Sequence, residues 1–404
     1  MKKLLTIALC MSILGSANAQ KANVDAAKKL SGKTESLAEA RNLINQAMQD
    51  PTTANDAQTY YVAGKIEFDA YDKDYTTSMI NPSAVDAVKM GEELINGYNQ
   101  FLKALPLDQV PDAKGKVKPK YTKDIISKIK GHANDYFRAG ADLFNAKKYY
   151  PEAYEGFMIY ADMPNQEFMA DEKLELPDAD RGTAYYNAAL AAYSGNEIYK
   201  SADAFRKARE VGYDDKQAYI YEIACWQTAA QRDSTMIDTA KAKIIEVAEA
   251  GDAKYGMEEP IFVNNIVNFL VSDQKYDEAI AKVNSLIEKN PNNAGLYGLR
   301  GFIYDRQGND SASVDDYRKS ASMEGVDFET LKNAGKKIYR VGADKWNSIE
   351  GNSEEARAAR QDVKVNYFEA AKSIADKAKA MNANDSDLDY LIENIDYALT
   401  TFFN

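Results

Sequence analysis

The feature that most limits the fold of this chain is a self-match at a fixed step. In residues 273 to 293, DQKYDEAIAKVNSLIEKNPNN, small and apolar residues recur at three- and four-residue intervals and stop at Asn290-Pro291. Shifted by 34 positions, Ala279, Val283, Leu286 and Pro291 fall on Ser313, Tyr317, Ser320 and Gly325. At the same step Val263, Val267 and Leu270 fall on Tyr297, Gly301 and Tyr304. The repeated unit is a pair of helices. Its first helix sets an aromatic or apolar residue four places before a small one, so that a neighbour can come close. The second carries a small residue, a bulky one four places on and a small or apolar one three after that, all on one face. Proline then ends it, because the residue before a proline is pushed out of helical geometry.

This helix-turn-helix spacing resembles the tetratricopeptide repeat. Residues 260–327 hold two consecutive units, the second with Ser313 and Ser320 where alanines are usual and without the closing proline. The resemblance implies an all-α protein, an α-solenoid of stacked antiparallel helix pairs. The rest of the chain agrees, since apolar residues recur at helical intervals and no segment shows the sustained alternation of a strand. Weaker copies lie upstream. Ala153, Phe157 and Tyr160 follow Tyr136 and Gly140; Ser201, Phe205 and Ala208 follow Tyr185 and Ala189; Ala240, Ile244 and Val247 precede the strong pair; Tyr60 and Gly64 repeat the aromatic-then-small spacing near the start. Residues 20–259 are therefore expected to be degenerate repeats. Residues 328–404 should form a longer helix pair and a last helix capping the end of the stack.

The chain opens MKKLLTIALCMSILGSANAQ: two lysines, a short apolar run, then small residues before Gln20. This pattern predicts a secretory signal peptide over residues 1–19, cut after Ala19, and export, with the periplasm as the expected compartment. The apolar run falls short of the roughly 20 residues that cross a bilayer, and no later stretch reaches that length. Loss of Lys2 and Lys3 takes the net charge from −12 to −14. So acidic a chain argues against nucleic acid or an anionic membrane as partner. Cys225 has no partner once Cys10 leaves, and His132 is the single histidine, so neither a zinc site of paired Cys or His nor a framework of disulfides can be built.

Motifs that carry chemistry are missing or incomplete. Gly32-Lys33-Thr34 ends like a phosphate-binding loop, but Ala27 stands where its first glycine is needed. Asp385, Asp387 and Asp389 alternate as in a calcium loop, yet the turn glycine is absent and a helix start accounts for the acids. Glu35-Ser36 matches the catalytic start of lytic transglycosylases without the glycine-rich segment that follows it there. The 27 tyrosines invite a sugar-binding reading, but many of them occupy packing positions of the repeat. The chain is read as no enzyme and as needing no cofactor.

A binding surface follows from the resemblance. In tetratricopeptide repeats the first helix of each pair lines the concave side, and the matching positions here are Asn264, Asn268, Val271 and Ser272, then Phe302, Asp305 and Arg306. Asn264 and Asn268 lie one turn apart, and each amide both donates and accepts. The family's carboxylate-clamping version places a lysine where Asn264 stands and an asparagine where Leu299 stands, so capture of a terminal carboxylate is not expected. The expected function is a scaffold of the cell envelope that binds a protein or peptide; a glycan-binding protein on the same kind of scaffold is the alternative. Residues 106–120, PLDQVPDAKGKVKPK, form the one basic stretch and should be an exposed connection.

Overall fold

The computed structural model describes residues 20–402. The leader read at residues 1–19 lies outside the described residues. Every regular element among them is a helix and none is a strand, so the chain is all-α. The helices gather into two compact units, one up to Val247 and one from Ala248 onward.

The first unit contains α1 (helical over 20–30), α2 (Leu37–Gln49), α3 (Ala57–Ile80), α4 (Ala87–Asp108), α5 (Thr122–Gly131), α6 (Ala133–Asn145), α7 (Tyr150–Asp162), α8 (Asp178–Ser194), α9 (Ile198–Glu210) and α10 (Lys216–Arg232). The division between the units falls inside α11 (Ile237–Tyr255). Several starts are fixed by aspartates whose side chains accept a backbone N–H of the first turn: Asp56 from Gln58, Asp86 from Val88 and Lys89, Asp215 from Gln217. Helices α3 and α4 and the run from α6 to α10 each pack against their neighbour in sequence, and small residues let the pairs close. Gly64 of α3 and Gly97 of α4 receive the rings of Phe101 and Phe68, which stack at 4.9 Å. Gly140 of α6 abuts Phe157 of α7 in the same way, a Cβ there meeting the ring at 2.8 Å. The aromatic-then-small spacing is thus a packing device.

The basic connection is exposed, as expected, but it is also pinned. Asp108, itself buried, accepts from the backbone N–H groups of Lys120, Tyr121 and Thr122 and from the Thr122 hydroxyl at 2.8 to 3.0 Å. Asp112 accepts from the N–H groups of Lys114 and Lys116 and from Lys118 Nζ. Pro106 lies inside the last turn of α4 instead of ending it, with Leu105 and Asp108 of the same turn buried.

The second unit contains α12 (Ile261–Ser272), α13 (Tyr276–Lys289), α14 (Ala294–Gln307), α15 (Asp310–Ala321), α16 (Phe328–Asn347), α17 (Glu354–Val363), α18 (Ala370–Met381) and α19 (Ser386–Thr401). The serines that depart from the repeat pattern have a physical reason. Ser313 Oγ donates to the carbonyl of Gly301 and Ser320 Oγ to that of Ala294, both at 2.8 Å and both fully buried. Each hydroxyl occupies the small-residue position and ties its helix to the one before. Upstream, Ser201 Oγ donates to Ala189 O at 2.9 Å across the same sequence separation as Ser313 and Gly301. Between α17 and α18 the helix continues as a π segment, Lys364–Glu369, which buries Phe368 completely. Asp385, Asp387 and Asp389, the acids spaced like calcium ligands, belong to the start of α19: Asp385 caps it, and the three pair with Lys332, Lys336 and Lys379.

Candidate partner-binding groove

Three successive first helices of the second unit, α12, α14 and α16, line one groove of about 610 Å³. Its floor is apolar, from Val263 and Leu296, both buried, to half-buried Leu299 and Phe302. Gly298 allows the approach that makes it: a Cβ there would collide with Thr330, so any larger residue would push α16 away from α14. Four asparagines stand on the rim, Asn264 and Asn268 from α12, Asn293 at the start of α14 and Asn333 from α16.

The amides of these four make no hydrogen bond among the described residues, in contrast to other asparagines of the unit. Asn265 Nδ2 donates to Ile261 O, Asn290 Nδ2 donates to Leu286 O, and Asn284 Oδ1 accepts from Arg300 Nη1. An amide whose donors and acceptor are met only by water is free to exchange that water for a ligand backbone. Acids also border the groove. Asp327 caps α16 by accepting from the Thr330 N–H and hydroxyl, and Glu329 accepts from Lys332 Nζ at 3.0 Å. No lysine, arginine or histidine is among the lining residues.

Of the positions taken from the repeat register, Asn264, Asn268 and Phe302 line this groove and Ser272, Asp305 and Arg306 do not. Ser272 and Arg306 are exposed near the far ends of their helices. Asp305 is engaged elsewhere, accepting from Lys337 Nζ and Arg340 Nη2, each at 2.6 Å. Asn293, Asp327, Glu329, Thr330 and Asn333 were not picked out by the register. Carried one helix further at the same step, the register of Asn264, Asn268 and Phe302 falls on Lys332 and Lys336 and passes over Asn333.

The other features singled out from sequence are structural. Cys225 is buried, its thiol 3.3 Å from Ser201 Oγ and pushed up to about 11 by burial. His132 is clamped between Asp135 at Nδ1 and Asp72 at Nε2. Tyr136, Tyr185 and Tyr317 are buried in packing contacts. Lysines of the 109–121 connection border a recess in the first unit in which Lys21, Lys116, Lys118 and Lys120 are matched by as many aspartates.

No protein-family model matches the chain, and no curated protein matches it. Among solved structures, a TPR repeats protein from Bacteroides fragilis is similar at 17% identity over 65% of this chain and 97% of that one, with a TM-score of 0.34. The TPR domain of P58(IPK) is 15% identical over 96% of this chain and 99% of its own, TM-score 0.29. Yeast Tom70 is 11% identical over 95% of this chain and 89% of its own, TM-score 0.32. At such scores the helix pairs described above, with their small-residue contacts at the repeat positions, carry the assignment of an all-α repeat fold.

Proposed function

We propose that this protein is an exported, non-catalytic scaffold of the cell envelope that holds an extended segment of a partner protein in the groove between α12, α14 and α16. The observation that carries the reading is the set of four uncommitted asparagine amides above an apolar floor. Spaced amides suit a polypeptide backbone, which offers a donor and an acceptor at nearly every residue, and the floor accepts apolar side chains. The acids at the rim favour binding over catalysis: Asp327 is spent on capping α16 and Glu329 on Lys332, so neither stands as a free acid-base pair. Strongly exposed tyrosines such as Tyr193, Tyr199, Tyr390 and Tyr397 lie outside the groove lining, which favours a peptide over a stacked sugar. The compartment is inferred from the leader at residues 1–19.

The test is capture from solubilised envelope with the chain from Gln20 onward, beside Asn264→Ala/Asn268→Ala/Asn333→Ala. A protein held by the wild type and lost by the equally helical variant supports the groove. Retention of the same set by both, or of nothing, rejects it. Fractionation of cells expressing the full chain tests export separately.

A further inference from the structure

The groove does not end at α14. A neighbouring recess of about 500 Å³ is bordered by Asn290, Asn292 and Glu324, and it shares Asn293 and Gly325 with the groove. The two form one trough. Along its whole length the ionisable lining residues outside tyrosine are Glu324, Asp327 and Glu329, with no lysine, arginine or histidine. Glu324 is exposed and has no ion pair among the described residues. Glu329 is already paired with Lys332, which leaves Glu324 and Asp327 as the acids without a cation among the described residues, whereas the lysine-bordered recess of the first unit is formally neutral.

We infer that the segment held in this trough is internal to its protein, extended and basic, with lysine or arginine side chains set against Glu324 and Asp327. This rests on the groove reading above and adds partner chemistry to it. A free terminal carboxylate would face Glu324 and Asp327 while Lys332 is already shared between Glu329 and Asp385, which is unfavourable. A lysine or arginine reaches such a rim while its stem lies on apolar surface like that of Leu299 and Phe302. Complementary rim charges of this kind mainly choose the partner and raise its association rate.

The probes are three short fluorescein-labelled peptides: an amidated one with lysines at alternate positions, its glutamate counterpart, and the lysine peptide with a free carboxylate. Anisotropy titrations use the chain from Gln20 onward, Glu324→Gln/Asp327→Asn, and Asn264→Ala/Asn268→Ala. Asparagine also caps helices well, so Asp327→Asn keeps the start of α16. The expected result is preference for the amidated lysine peptide, weakened about tenfold in the charge variant, as a few exposed ion pairs allow, and weakened further by salt. Equal binding of the lysine and glutamate peptides, lost only in the asparagine variant, overturns this inference and leaves the groove reading standing. Preference for the glutamate or free-carboxylate peptide also overturns it. If no peptide binds, or the asparagine variant binds all of them like the wild type, the groove reading fails and this inference with it.

Discussion

Arg300 of α14 grips Asp316 of α15 side-on, Nε and Nη2 donating to the two carboxylate oxygens at 2.6 and 2.7 Å, while its Nη1 donates to Asn284 of α13. One guanidinium thereby links three consecutive helices. Asp316 is buried, so removing it leaves a cation with unmet donors between helices. Asp316→Ala should destabilise the second unit by about 2–4 kcal/mol, whereas Arg300→Met/Asp316→Leu should cost far less because neither charge is stranded. Urea titrations followed by circular dichroism check this, and equal losses in both variants would contradict it.

Gly64→Ala and Gly131→Ala separate sterics from helix propensity. A methyl group at Gly64 would run into the Phe101 ring and the Gly97 carbonyl, while at Gly131 it would meet nothing within 4 Å. Overpacking typically costs about 1–3 kcal/mol, against a gain of up to about 1 kcal/mol from replacing glycine in a helix. Thermal melts should fall for the first variant and hold or rise for the second.

Acid and base titrations should read out the His132 clamp. Burial works against the charged imidazole, but hydrogen bonds to Asp135 and Asp72 outweigh it and raise its pKa. Burial likewise opposes the Asp72 carboxylate, yet His132 and Lys128 bring it down to about 2. The signs are opposite. The histidine's contribution is full below its unfolded value near 6.5 and is lost as pH rises through the raised folded value; that of Asp72 is full above about 4 and lost as pH falls through about 2. Denaturation midpoints should therefore fall from pH 6 to pH 9 in the wild type and change less in His132→Gln. With only one histidine in the chain, a single imidazole resonance reports the titration directly.

Asp108→Ala should loosen the basic connection without unfolding the unit. The change leaves the N–H groups of Lys120, Tyr121 and Thr122 without their carboxylate, and bonds to a charged group are worth about 1.5–3 kcal/mol each. The open form becomes more populated, and limited trypsin digestion should cut after the loop lysines at least tenfold faster. An unchanged rate would mean that Asp108 does not hold the loop shut.

Much of the fold was legible because packing positions in a repeat must recur. Gly140, Gly301, Phe157 and Tyr317 were found by spacing alone, and they are the residues in contact. The rigid hold on the 109–121 connection was not legible, since a carboxylate and three amides a dozen residues apart carry no periodic signal. For the candidate groove the register reached Asn264, Asn268 and Phe302 but also included Asp305. Which of several nearby lysines and arginines draws an aspartate inward depends on α16, outside the two matched units. Asn293 escaped notice because it stands at a helix start and not on a repeat face.

The π segment at Lys364–Glu369 fixes a phase relation between two apolar stripes. A π turn amounts to one residue more than an α-helix would use, so the segment before it and Ala370–Met381 after it are offset by about 100° from a continuous helix. Ala371, Ile374, Ala375 and Ala378 are buried in that shifted phase. Deleting a single residue there would restore a regular helix and rotate those four side chains away from α16 and α19. The last helices of this protein are thus timed by an extra residue, and a gain or loss of one position there would matter more than most substitutions.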